Sequence, residues 1–380
     1  MGETVLTPMP AICLLLIPVS FILSFCLSRS LIRVSPRRGH VDVPGREGHK
    51  GHARALPNTG GFAIFVAVAA PVMACLAAAW IVTVDFWGGW AAPLAEHIEG
   101  LRQSGWMGAG ILAALLAMHV LGAIDDRRPL GTAPKLAVEV IVACVLALVF
   151  QIRIFEFLAN FGPLGFIACI AASTLWLVAI TNALNMLDNM DGLAGGVGGV
   201  IAVIYLAATL IGGQWFVAAL CALLGGALGG FLCFNFPPAK LFMGDGGSLV
   251  VGLLLGVISM RTTYIAMPTT EAPNLWYGAL MPLVVMAVPL YDLGSVVLIR
   301  LWSRRSPFAA DHSHLSHRLV RRGLSPRAAV LVIWLATVAT GLGGVMLSRL
   351  ESWQAVIVAC QTLSILAVLA ALEFCTAHRE

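Results

Sequence analysis

Charge is what this chain has least of. Of its 380 residues only 11% are Asp, Glu, Lys or Arg, against roughly a quarter in an ordinary soluble domain, which excludes a soluble globular protein. It also lacks any C-x-x-C pair: the nine cysteines are spread over separate apolar segments, which argues against a zinc or disulfide framework and reads them as packing residues. No Lys or Arg precedes the first apolar run, so that run lacks the basic start of a cleaved leader and reads as a membrane span. Long polar insertions are missing too, so residues 1–380 read as a single integral membrane domain.

What is present is apolar length. A bilayer crossing needs about 20 mostly apolar residues. Runs of that kind predict an all-α transmembrane bundle of about eleven helices, at 10–29, 60–83, 107–124, 134–152, 163–184, 194–212, 214–234, 247–266, 276–300, 328–348 and 353–375. Orientation follows from the basic residues. With the N-terminus outside and the C-terminus cytoplasmic, only Arg102, Arg153, Arg261 and Arg349 of the 23 Lys and Arg fall outside, as the positive-inside rule requires. Trp80, Trp87, Trp90, Trp106, Trp215, Trp276 and Trp353 then lie at outer helix ends, where an indole buries its ring and keeps its N–H wet. The basic residues thus serve membrane topology, and no nucleic-acid partner is expected. Two glycine clusters, around 195–199 and 225–230, predict close helix packing.

A carboxylate at the centre of a membrane helix costs about 2.5–3.5 kcal/mol on insertion scales, so acid positions carry information. Asp125 and Asp126 close the third span, Asp188 and Asp191 follow the fifth, and Asp245 follows the seventh. All five fall on the inner side. A helix stop paired with Arg127 and Arg128 is the plain alternative for the first pair. Asn185, Asp188 and Asp191, spaced by three, lie near one another if the helix continues and would offer oxygen ligands to a hard cation such as Mg²⁺. Glycines flank Asp245 just before a helix, so its backbone N–H groups could meet an anion. The last inner loop carries His312, His314, His317, Asp311 and Arg pairs including Arg305; phosphate binding suits it better than a transition metal. Together these are parts for handling a phosphate-bearing substrate at the headgroup plane.

Five ordered motifs between about residues 50 and 320 carry a resemblance. They are K-x-H with P-x-x-G-G (Lys50, His52, Pro57, Gly60, Gly61), D-D-x-x-x-L with a later Lys (Asp125, Asp126, Leu130, Lys135), N-A-x-N-x-x-D-x-x-D-G-L (Asn182 to Leu193), N-x-x-P-A-x-x-F-M-G-D-x-G-S (Asn235 to Ser248) and S-P-F-x-x-D-x-x-H-x-x-H (Ser306 to His317). The pattern resembles the polyprenyl-phosphate N-acetylhexosamine-1-phosphate transferases of glycosyltransferase family 4, the WecA-like branch rather than the MraY-like one. That resemblance implies transfer of a sugar 1-phosphate, GlcNAc-1-phosphate foremost, from a UDP-sugar to undecaprenyl or another polyprenyl phosphate. UMP is released at the cytoplasmic face of the plasma membrane, and Mg²⁺ is required, with Mn²⁺ a substitute.

By the same resemblance, Asn185 and Asp245 match metal positions, and Asp191, Asn235 and Phe242 match a uridine pocket. Asp125 and Asp126 match an acidic pair at the lipid phosphate, with Asp188, His314 and His317 also catalytic and Lys135, Arg305 and His312 binding substrate. A covalent aspartyl intermediate is the rival to direct displacement. The sequence departs from the pattern at three places. Asn58 stands at an often basic position, Asn189 replaces a glycine in D-G-x-D-G, where a positive φ is the expectation, and Ser316 replaces the middle histidine of H-x-H-H. A muramoyl-pentapeptide-type transferase and, from another class, a secondary transporter are the alternatives. The transporter calls for ionisable residues near the membrane midplane, which read as few here. A homodimer is one assembly open to the chain.

Overall fold

Apolar runs of this length have one low-energy answer in lipid, since every backbone N–H and C=O must be satisfied within the segment. The computed structural model describes residues 8–39, 41–42, 56–81, 99–262, 275–306, 313–347 and 350–374, and among these the chain is almost wholly helical. The helices are α1 (Met9–Val34), α2 (Gly60–Ile81), α3 (Gly105–Asp125), α4 (Thr132–Leu148), α5 (Gly162–Leu187), α6 (Leu193–Ile211), α7 (Trp215–Asn235) and α8 (Asp245–Thr262). They continue as α9 (Leu275–Val285), α10 (Ala287–Trp302), α11 (Leu315–Arg321), α12 (Pro326–Met346) and α13 (Ser352–Phe374). The described strands are one short antiparallel pair, β1 (Val41–Asp42) and β2 (Leu56–Pro57).

Nine helices among the described residues are long and apolar enough to cross a membrane. Two expected spans take other forms. The segment expected at 134–152 is α4, of 17 residues. The one expected at 276–300 is broken into α9 and α10 at Met286; Pro289 has no N–H to offer the preceding turn, which interrupts the ladder. The fold is that of a multi-pass, all-α membrane protein.

The most buried helix is α8, whose residues from Gly246 to Met260 are all enclosed. Small residues let its neighbours reach it. A methyl group on Gly122 would overlap the backbone of Asp245 and Gly246, and one on Gly252 would meet the backbone of Thr181. Of the two glycine clusters, Gly196 packs under Trp334 of α12, while Gly226 and Gly230 lie against the α1 backbone. This is the close helix packing expected of them. The described cysteines are all free.

The helices run alternately, so one end of the bundle collects the start of α2, the end of α3, the start of α4, the end of α5, the start of α6, the end of α7 and the start of α8. All five acids singled out in the sequence stand at that end. Trp80 and Trp106, at the opposite ends of α2 and α3, are largely exposed. Trp302 is 91% exposed, a ring at the end of α10 that nothing in the described protein covers. Trp87 and Trp90 lie outside the described residues.

Candidate active site

The centre begins with four side chains from four helix ends. Lys135, in the first turn of α4, places Nζ 3.3 Å from Asp125 Oδ2 and 3.3 Å from Asn185 Oδ1, and it forms an ion pair with Asp245 Oδ2. Asn185 Nδ2 donates to Asp245 Oδ1 at 3.0 Å and to Ser248 Oγ at 2.8 Å. Asp125 is further held by the Leu130 N–H at 2.7 Å. Three oxygens from different helices therefore converge on one positive charge.

Asp126 does different work from its neighbour. Its Oδ1 accepts from the Asp245 N–H at 3.0 Å and from Asn58 Nδ2 at 2.9 Å, and its Oδ2 accepts from the Gly246 N–H at 3.1 Å. A carboxylate at a helix start meets unpaired N–H groups and the positive end of the dipole. The anion expected at the glycine-flanked start of α8 is thus the protein's own Asp126. Burial of its inner edge and the charge of Asp245 push this carboxyl up to about 6, against the hydrogen bonds from Asp245, Gly246 and Asn58 that favour its charged form. One edge of the residue stays open to solvent. Neither Asp125 nor Asp126 pairs with Arg127 or Arg128, so the plain helix-stop reading falls.

The glycine pair of P-x-x-G-G explains itself here. Gly60 N–H donates to Phe242 O, Gly61 N–H to Met243 O, and Phe242 N–H to Pro57 O, each at 2.9 Å. A side chain at Gly61 would strike the backbone of Gly246 and Gly247. Two sequence motifs far apart along the chain are thus one backbone ladder, and it seats Asp245.

Of the expected triplet Asn185, Asp188 and Asp191, the first and last take different partners. The helix ends at Leu187, with Asp188 as its C-cap, so the spacing of three no longer stacks the side chains. Asn185 turns to Asp245, whereas Asp191 Oδ2 accepts from the Ala239 N–H at 2.9 Å. Asn235 is buried and ties the same turn down, accepting from the Gly192 N–H and donating to Leu241 O, both at 2.9 Å. The expected positive φ at Asn189 is also absent; Gly192 takes it, with φ 75°. Phe242 is half-buried on the strand-like segment beside Gly60.

In the histidine segment, His314 Nδ1 lies 2.9 Å from Asp292 Oδ2, and Asp292 Oδ1 accepts from the Leu315 N–H at 2.6 Å. Asp292, fully buried in α10, thereby caps the start of α11 and orients the imidazole, an arrangement that commits Nδ1 and leaves Nε2 for other partners. On the far side of α11, Arg318 Nε meets Glu373 Oε2 at 2.9 Å and its NH2 reaches Ser295 Oγ at 2.7 Å. His317 sits one turn along α11, and Arg305 lies exposed beyond α10. His312 lies outside the described residues, as do Lys50, His52 and Asp311.

Sequence reasoning passed over Glu139, Asp292 and Glu373. All three are acids in apolar helices, Glu139 and Asp292 within them and Glu373 at the end of α13, with no more than 3% exposure, and that placement was itself the available signal. Polar content within the helices is richer than the sequence suggested. Glu139 stands one turn beyond Lys135 and accepts from Asn182, one turn before Asn185, while its Oε1 has no partner.

A bundle of membrane helices with carboxylates, an amide and a lysine converging at one end defines a multi-pass membrane enzyme of the polar–lipid boundary. The family model for glycosyl transferase family 4 matches residues 108–263, which span α3 to α8. The chain is 28% identical over 338 residues to a probable undecaprenyl-phosphate N-acetylglucosaminyl 1-phosphate transferase of Bacillus subtilis (strain 168), covering 88% of this chain and 85% of that protein. It is 33% identical over 315 residues to the decaprenyl-phosphate N-acetylglucosaminephosphotransferase of Mycolicibacterium smegmatis, covering 76% and 72%. A phospho-N-acetylmuramoyl-pentapeptide-transferase of Limosilactobacillus fermentum is 30% identical over 251 residues, covering 63% and 72%. The chain belongs to glycosyl transferase family 4.

Proposed function

We propose that this enzyme transfers GlcNAc-1-phosphate from UDP-GlcNAc to undecaprenyl or a similar polyprenyl phosphate at the cytoplasmic membrane face, releasing UMP. The observation that carries this reading is the convergence of Asp125, Asn185 and Asp245 on a cationic group at the helix ends. Relatives named as N-acetylglucosamine phosphotransferases support the sugar. The donor set of two carboxylates and an amide oxygen fits Mg²⁺, which prefers hard oxygen ligands and is commonly held by one or two carboxylates plus substrate phosphates. Asp125, Asp245 and Asn185 would hold it, and Mn²⁺ would substitute. Bound there, the ion supplies charge neutralisation for the diphosphate.

The acceptor's phosphate oxygen forms a bond to the β-phosphorus as the bond from that phosphorus to the UMP oxygen breaks. A phosphate monoester has a second pKa of about 6, so at neutral pH little proton removal is demanded of the protein. Asp126 is committed to the α8 amides, which favours Asp125 as the acid that orients the acceptor. Lys135 adds a positive charge beside the reacting phosphates, and the turn at Asp191 with Asn235 and Phe242 lines the uridine side.

The test is UMP release by purified protein given UDP-GlcNAc, undecaprenyl phosphate and MgCl₂. Turnover is expected, lost in EDTA and restored by Mg²⁺ or Mn²⁺. No turnover across a panel of UDP-hexosamines would overturn the reading, and preference for a muramoyl-pentapeptide donor would overturn the choice of sugar. A radiolabelled protein adduct formed without lipid would replace direct displacement by a covalent aspartyl route.

A further inference from the structure

Two of the places where the sequence departs from the family pattern meet in space. Ser316 Oγ donates to Asn189 Oδ1 at 2.6 Å, although 127 residues separate them. The other half of the amide is also used, since Asn189 Nδ2 donates to Met186 O at 2.6 Å in the last turn of α5. Asn189 therefore caps α5 and grips α11 with one side chain. Ser316 is 1% exposed and lies between His314 and His317 on α11, while Asp188 and Asp191 flank Asn189 on the turn.

Asp191 and Asn235 fasten the turn to the segment before α8, and Asp292 and Glu373 fasten α11 to α10 and α13. The Ser316–Asn189 bond runs between them. We propose that Asn189 and Ser316 are a compensating pair of positioning residues that sets the spacing between the acid-bearing turn and the histidine-bearing helix, and through that spacing the fit of the donor. The proposal rests on the transferase reading above.

The physical basis is the asymmetry of buried hydrogen bonds. Removing one partner strands the other, whereas changing both together can be close to neutral. A glycine at 189 leaves the Ser316 hydroxyl without its acceptor, and a histidine at 316 pushes an imidazole into the space the Asn189 side chain fills. Changed together, the two substitutions remove the stranded group and make the room.

The experiment is a double-mutant cycle with Asn189→Gly, Ser316→His and the double variant, assayed for UMP release with both substrates varied. Each single change is expected to raise KM for UDP-GlcNAc about tenfold, with kcat and the KM for undecaprenyl phosphate within about twofold. The double variant is expected to return to within about threefold of wild type. Effects that multiply in the double variant, or singles that lower only kcat and melting temperature, overturn the pair. If Ser316→His does not fold, Asn189→Ala and Ser316→Ala close the same cycle with the same criteria. An inactive wild type would instead overturn the function proposed above. The cycle read in melting temperature then still decides the contact, additive shifts counting against it.

Discussion

At the scale of single residues, the adjacent acids at the end of α3 divide their labour. Asp126 satisfies two N–H groups at the start of α8, and a stranded buried donor costs about 1–3 kcal/mol. Asp126→Ala is therefore expected to lower the melting temperature in detergent clearly, with activity lost as α8 loses its seat. Asp125→Ala should melt closer to wild type and still lose at least about a hundredfold in turnover; equal melting losses in the two variants would refute the division. Lys135 pairs with both Asp125 and Asp245 and so offsets the repulsion between the two carboxylates. In EDTA, Lys135→Met should melt below wild type, and adding Mg²⁺ should raise its melting temperature more than it raises that of wild type. An equal rise in both would show that lysine and metal do not share those oxygens.

At the scale of elements, the site depends on how closely helices approach, and glycine decides that at particular contacts. Gly122 lets α3 touch the backbone at the start of α8, so Gly122→Ala is expected to abolish transfer by forcing the two apart. Gly199 is a useful contrast. A Cβ there would sit 3.9 Å from Leu228 Cβ, an ordinary contact, and alanine gains about 1 kcal/mol over glycine in a helix interior. Gly199→Ala should therefore leave activity unchanged and the melting temperature equal or slightly higher. If both variants behaved alike, close approach of α3 and α8 would not be what the site requires. The break at Met286 also belongs to this scale: it starts α10 afresh, and α10 brings Asp292 to the start of α11.

At the scale of the whole molecule, the reaction proposed has a soluble donor and an acceptor whose phosphate lies at the headgroups, so the catalytic end must face the donor's compartment. Reporter cysteines at Arg128 and Glu351, each in a cysteine-free background, test this in intact cells. Glu351→Cys is expected to react with a membrane-impermeant maleimide from outside, and Arg128→Cys only after the cells are opened. Labelling of Arg128→Cys from outside would reverse the orientation.

Much of this arrangement is legible in the order of residues along the chain. Spans follow from the length of apolar runs, and the shared end of the acids follows from alternating direction. Both are set by transfer free energy along the chain, which is a local property. Side-chain partners are not local. Asp125 and Asp126 look equivalent in sequence, yet one faces Lys135 and the other caps α8, because the rotation of α3 and its approach through Gly122 distinguish them. Asn185 and Asp191 share a spacing that suggested one cluster; the helix end at Leu187 sends them to different partners. Asp292 is marked by its place in an apolar run, but its partners emerge only where the start of α11 folds back onto it. The sequence alone determined that a phosphate chemistry resides at one end of a membrane bundle. Which acid meets the lysine, which one seats a helix and which turn grips the histidine helix were decided by tertiary structure, because hydrogen bonding depends on angles and distances that only packing sets.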